Sequence, residues 1–119
     1  MIDWTKPTAM MLGRWQPWHK GHQTLFEEAL KRTGQVVIMV RDMPKSENNP
    51  LTFLQIKDRI EDALQSYKDQ IEIIKVPNIA NIIYGRDVGY KVEKIDLDKE
   101  IESISATKIR AEMKEQGKI

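Results

Sequence analysis

The sequence contains no cysteine, which excludes disulfides, thiolate nucleophiles and cysteine-based zinc sites. Charge of one sign is lacking too: 19 Lys and Arg are interleaved with 18 Asp and Glu, for a net charge of +1. No broad basic face is therefore expected to track a nucleic-acid polymer, and small charged ligands are favoured as partners. No apolar run reaches the length of a membrane span, and Met1-Ile2-Asp3-Trp4-Thr5-Lys6-Pro7 lacks the apolar core of a signal peptide. A cytoplasmic protein with no membrane partner is the expectation. Histidine is scarce, with 2 in 119 residues, yet His19 and His22 stand three positions apart.

What is present reads as one α/β domain over residues 1–119, large enough to bury roughly two thirds of its unfolded surface. The apolar pattern predicts a strand over residues 8–12, a helix over 21–32 ended by Gly34, and a buried β-branched strand over 36–40. Asp42 to Pro50 reads as a polar loop. Thr52 then caps a helix whose apolar face is Phe53, Ile56, Ile60, Ala63 and Leu64. A third strand covers residues 71–76, stopped by Pro77. Residues 79–84 read as either strand or a helical turn, 90–97 alternate as an edge strand, and Ser105 opens a last helix. The sum is a mostly parallel sheet of about five strands flanked by helices, with His19, Asp42 and Arg86 clustered at its carboxyl end, where such folds bind ligands.

The segment Gly13-Arg14-Trp15-Gln16-Pro17-Trp18-His19-Lys20-Gly21-His22 lies between the first strand and the first helix. A helix N-terminus offers unpaired N–H groups and the positive end of the macrodipole, and a glycine lets an anion approach the backbone. Two imidazoles, with Arg14 and Lys20 nearby, complete a cradle for phosphates. His-x-x-His spacing would also serve as half a zinc site, but neither a cysteine nor a third histidine exists to finish it. No metal ligation by the protein alone is expected.

This segment resembles the H-x-G-H signature of the nucleotidyltransferase superfamily, and Ile104-Ser105-Ala106-Thr107-Lys108-Ile109-Arg110 is similar to that superfamily's I-S-x-T-x-I-R/K motif. The resemblance implies a Rossmann-like domain that moves a nucleotidyl group from a nucleoside triphosphate to a small phosphorylated acceptor, releasing pyrophosphate, with Mg2+ carried on the triphosphate. It implies that His19 and His22 stabilise the transition state at the α-phosphate, while Ser105, Thr107, Lys108 and Arg110 grip the outer phosphates. Leu12, Gly13, Arg14, Trp15, Gly21 and Ala106 are expected around the nucleotide, and Gly85, Arg86 and Asp87 at its base. Gln16, Trp18 and Asp42 are expected at the acceptor. Lys45 matches, by position alone, a family lysine that crosses to the reacting phosphates.

Each role has a plainer competitor. Ser105 serves equally as an N-cap, Trp15 and Trp18 as core aromatics, and Arg110 as part of a solvated helix face. The nucleotide is left open between two resemblances. Gly-Arg-x-Gln-Pro before the histidines and Asn49-Pro50-Leu51-Thr52 look like nicotinamide-mononucleotide adenylyltransferases, which use ATP and a mononucleotide. The short chain, the Ser-Ala-Thr-Lys-Ile helix start and the Gly85-Arg86-Asp87 turn are more similar to glycerol-3-phosphate cytidylyltransferases, and CTP is the leading expectation. Against it, the Arg-Thr-x-Gly run of those enzymes is replaced by Asp98 to Ser103. A nucleotide-binding module without turnover is the alternative of another class. The apolar residues Ile79, Ile82, Ile83 and Tyr84 lack an obvious internal partner, so a homodimer is expected.

Overall fold

Val36, Ile38 and Val40 are the centre of the molecule, each 1% exposed or less. They alternate along a strand with β-branched side chains, which suits a pleated surface covered on that face. In the computed structural model, which describes residues 2–87, 89–95 and 106–117, this strand is the middle one of a three-stranded parallel sheet. Its members are β1 (Ala9–Gly13), β2 (Val36–Arg41) and β3 (Ile71–Val76), in the order β1-β2-β3. Met11 pairs with Ile38 and Ile38 with Ile73, while Gly13 and Val40 stand level with Lys75 at the carboxyl end.

Helix α1 (Lys20–Thr33) connects β1 to β2, and α2 (Phe53–Ala63), followed by a 3-10 turn at Gln65–Gln70, connects β2 to β3. Because spatial order follows chain order, both crossovers have the same hand and both helices lie on one face. Phe26 and Ala29 from α1 and Ile56 and Ile60 from α2 join Val36, Ile38 and Val40 in a single core. The other face of β1 is barely covered, with Met10 58% exposed.

Local signals end the helices where the residues dictate. Gly34 takes φ 79°, the left-handed cap that costs a glycine little, and its N–H bonds the Leu30 carbonyl at 2.8 Å. Lys31 and Arg32 sit at the negative end of the α1 macrodipole. Thr52 caps α2 reciprocally with Gln55: the Thr52 hydroxyl accepts from the Gln55 N–H at 3.2 Å, and the Gln55 side chain accepts from the Thr52 N–H at 2.8 Å.

The three expected strands through residue 76 and both helices between them are present, each within a residue or so of the expected ends. Of the about five strands expected, three lie among the described residues. Residues 79–84 form neither strand nor helical turn, and 90–95 form no ladder. Alternation makes a strand only where a neighbour supplies hydrogen bonds and something covers the apolar face, whereas Tyr90 and Val92 are 60% and 75% exposed. Glu93 instead pairs with Arg32 of α1 at 3.2 Å. The 3-10 turn had no sequence signal; Tyr67 places its ring edge against Phe26, centroids 5.2 Å apart. A last helix, α3, spans Ala106–Glu115; the expected opening residue Ser105 lies outside the described residues, as do Asp96 and Leu97 of the expected edge strand.

Candidate active site

The two histidines cap α1 with each other. His19 is the N-cap residue, and its Nδ1 accepts the Gly21 N–H at 3.0 Å, while His22 Nδ1 accepts the His19 N–H at 3.1 Å. An imidazole nitrogen that accepts carries no proton, so both neutral rings hold their proton on Nε2. The rings stack, centroids 3.7 Å apart and 21° between planes. Burial pushes the His22 imidazole down to about 3, with the charge of His19 adding to it, and burial also lowers His19. Both are therefore neutral near pH 7, each with one Nε2–H for which no bond to a described residue is formed. The site offers a pair of adjacent, preoriented neutral donors.

The loop before them is held by packing. A Cβ on Gly13 would lie 2.8 Å from the Trp15 indole, so only glycine lets that ring cross the end of β1. Trp15 has φ 52°, unusual for a bulky residue, and keeps it by burying its ring and donating Nε1–H to the Met39 carbonyl at 3.0 Å. Its ring meets His22 edge-on at 4.8 Å and Trp18 at 5.2 Å. Trp18 is likewise buried and donates toward Gln23. Both tryptophans are thus core residues that support His22 from behind.

Gln16 and Arg110, both buried, tie this loop to distant parts of the chain. The Gln16 amide donates to the Leu51 carbonyl at 3.1 Å and accepts the Leu51 N–H at 2.9 Å. Arg110 donates to the Gln16 main-chain carbonyl at 2.7 Å and to the Thr107 hydroxyl at 3.1 Å. Burial first, then the nearby Arg14 guanidinium, lowers the pKa of Arg110. Arg110 is therefore no part of a solvated helix face, and two guanidiniums, one exposed and one buried, stand near the histidine loop.

A groove of about 490 Å³ opens beside the loop at the carboxyl ends of β2 and β3, lined by Gln16, Asp42, Lys45, Leu51, Phe53 and Lys75 among others. The structure thus gathers Gln16, Asp42 and Lys45 on one cavity. His19 and His22 are not among its lining residues, and neither is Trp18. Gly85, Arg86 and Asp87 lie in an exposed turn, where Asp87 accepts the Gly89 N–H at 3.1 Å, and Arg86 bonds neither His19 nor Asp42. Thr107 and Lys108 are exposed on the first turn of α3, Leu12 is exposed, and Gly21 is buried in α1. Lys75, Phe53 and Arg41 also line the groove, although the sequence reading does not single them out. Lys75 carries a usable signal, since it lies one residue before the end of the third strand, where ligands of parallel sheets bind. Among the described residues, no three His, Asp or Glu side chains gather as metal ligands, and no helix is long and apolar enough to cross a membrane.

A parallel α/β layer whose first helix opens on paired histidines is the architecture of a nucleotide-handling domain. The chain belongs to the cytidylyltransferase-like family, whose model matches residues 10–80. It is similar to the nicotinamide-nucleotide adenylyltransferase of Methanococcus aeolicus, 29% identical over 73 residues that make up 60% of this chain and 42% of that protein. It also resembles two solved structures of a bifunctional NMN adenylyltransferase/ADP ribose pyrophosphatase from Francisella tularensis. One, complexed with AMP and a manganese ion, has a TM-score of 0.55 at 28% identity, over 60% of this chain and 23% of that one. The other has a TM-score of 0.55 at 30% identity, over 60% of this chain and 22% of that one. The chain spans less than half of the curated relative it matches.

Proposed function

We propose that this protein is a nucleotidyltransferase that moves an adenylyl group from ATP to a small phosphorylated acceptor of the mononucleotide type, releasing pyrophosphate. One observation carries the choice of nucleotide: the amide of Gln16 holds the backbone of Leu51. Gly-Arg-x-Gln-Pro and Asn-Pro-Leu-Thr are the two segments that resemble nicotinamide-mononucleotide adenylyltransferases, and this contact joins them as one unit. The relatives named above carry that activity in their names, and neither they nor the Gly85–Asp87 turn supports the expected preference for CTP. ATP therefore replaces CTP as the leading reading.

An acceptor phosphate oxygen attacks the α-phosphorus as the bond to the β-phosphate bridging oxygen breaks and pyrophosphate leaves. The attacking phosphate is already anionic, so the protein needs to position and to neutralise charge rather than supply a strong base. The Nε2–H groups of His19 and His22 donate to oxygens on the α-phosphorus. Thr107 and Lys108, with Ser105, hold the outer phosphates, and Asp42 and Lys45 face the acceptor in the groove. The side chains around the histidines are cationic (Arg14, Lys20, Arg110), which fits a divalent ion arriving on triphosphate oxygens. Mg2+, when bound there, would screen the charge that builds on the leaving group. A second copy of the chain belongs to this proposal as the cover for exposed Ile82, Ile83 and Tyr84, and sedimentation at tens of micromolar tests it.

The deciding experiment crosses ATP and CTP with nicotinamide mononucleotide and with phosphorylated small alcohols, read by pyrophosphate release. Turnover with ATP and the mononucleotide at least tenfold above every other pair is expected. Faster turnover with CTP overturns the nucleotide assignment, and nucleotide binding without release from any pair makes the protein a binding module.

A further inference from the structure

Gln16 belongs both to the anchoring of the histidine loop and to the wall of the groove. Its amide is tied to Leu51, 35 residues away, with one bond in each direction. Both bonds go to main chain, immediately before the residue that caps α2, so they fix where the groove wall of Leu51, Thr52 and Phe53 begins. At its other end, the Gln16 carbonyl is held by Arg110 of α3, which also grips Thr107. Three elements thus meet at one residue that sits three positions before His19. An amide carries two N–H donors and two lone pairs, so these two bonds leave the expected role at the acceptor open beside the anchoring one.

The geometry points to Gln16 as a positioning residue that acts through Leu51: it holds the acceptor groove in register with the imidazole pair. This rests on the nucleotidyl-transfer reading above. Bringing two phosphates into line is the main task of such a site, and a displacement of about 1 Å far from the chemistry costs on the order of 10² in rate. Amides suit the task because a neutral donor and acceptor on one planar group match a backbone N–H and C=O pair without importing charge. A carboxylate at the same place would keep the acceptor for Leu51 N–H and set an anion against the Leu51 carbonyl.

The test compares Gln16→Met and Gln16→Glu with the wild-type chain. Gln16→Met is expected to raise KM for the phosphorylated acceptor at least tenfold while KM for the triphosphate stays within twofold, and Gln16→Glu to fall between it and wild type. A purely structural role would lower the melting temperature and leave both KM values alone. KM values within twofold of wild type in the folded variants, or equal rises in both, overturn the proposal. If Gln16→Met does not fold, Gln16→Glu is judged by the same criterion. A second readout needs no turnover: exchange of the Leu51 amide should speed at least tenfold in the variant while that of Ile38 is unchanged, and unchanged Leu51 exchange overturns the clamp. Absence of turnover by the wild type with every pair overturns the functional reading instead, and is told apart from failure of the clamp by the exchange result.

Discussion

Arg110 donates a 2.7 Å hydrogen bond to the main-chain carbonyl of Gln16, across 94 residues of sequence. The bond carries α3 onto the loop that leads to the histidines, so the two motifs of the sequence are linked through protein before any ligand binds. A guanidinium committed to a carbonyl and to Thr107 has donors left over, and Arg14 beside it makes the region strongly cationic. The gripping role expected of Arg110 thus comes with a structural one.

Removing that guanidinium strands a buried carbonyl. Arg110→Met is expected to destabilise the fold by about 1–3 kcal/mol, the usual cost of an unsatisfied buried polar group. Urea unfolding followed by far-ultraviolet dichroism measures it, and a midpoint equal to that of wild type would show that water replaces the bond freely.

Capping and catalysis can be separated at His19. Asn caps helices well, so His19→Asn should keep stability within about 0.5 kcal/mol of wild type, whereas His19→Ala loses about 1 kcal/mol. Both variants lack the Nε2–H and should lose turnover by roughly 10² to 10³. Pyrophosphate release and thermal melting together decide, and a His19→Asn variant as active as wild type would remove His19 from the chemistry.

Stability should fall with acid through the histidines. The folded His22 is lowered to about 3, below its ordinary 6.5, so between those values the unfolded chain binds the proton that the folded one refuses. The contribution is whole above about pH 6.5 and is lost as pH falls toward 3; the depressed His19 adds in the same direction. Urea midpoints at pH 7.5 and 5.5, a range above most carboxylate titration, should drop more in wild type than in His22→Ala. Equal drops would place the acid sensitivity elsewhere.

Gly13→Ala is expected to be disruptive despite adding one methyl group. The new carbon would stand 2.8 Å from an indole that is itself buried and bonded to Met39, so the ring cannot swing clear without breaking that bond. Overpacking of this kind costs about 1–3 kcal/mol. A red-shifted tryptophan emission with a lower urea midpoint is the expected signature, and unchanged emission would show that the loop absorbs the methyl.

Much of the fold is legible in the residues themselves. The run Val36 to Val40 reads as a buried strand because its residues are β-branched and apolar on both faces, and it is one. Gly34 and Thr52 sit where helix ends need them, because capping is satisfied within four residues. Even the exchange between His19 and His22 is a local event of this kind, although histidine is an uncommon cap. Residues 90–95 show the limit: their alternation is as regular as that of a strand, but a strand exists only with a neighbour.

The sequence alone determined the parallel α/β plan, the paired-histidine loop between β1 and α1, and the family, since all three rest on periodicity and on short motifs whose parts lie side by side in the chain. Tertiary structure alone decided what those parts hold. Whether Gln16 faces a ligand or the backbone of Leu51, and whether Arg110 lies in solvent or against Gln16, depends on separations of 35 and 94 residues. The Gln16 amide and the Arg110 guanidinium are polar and would be equally content in water, as would the main-chain groups they bind. The folded chain buries both Gln16 and Arg110 and so commits those bonds, and burial is a property of the whole fold rather than of any segment of it.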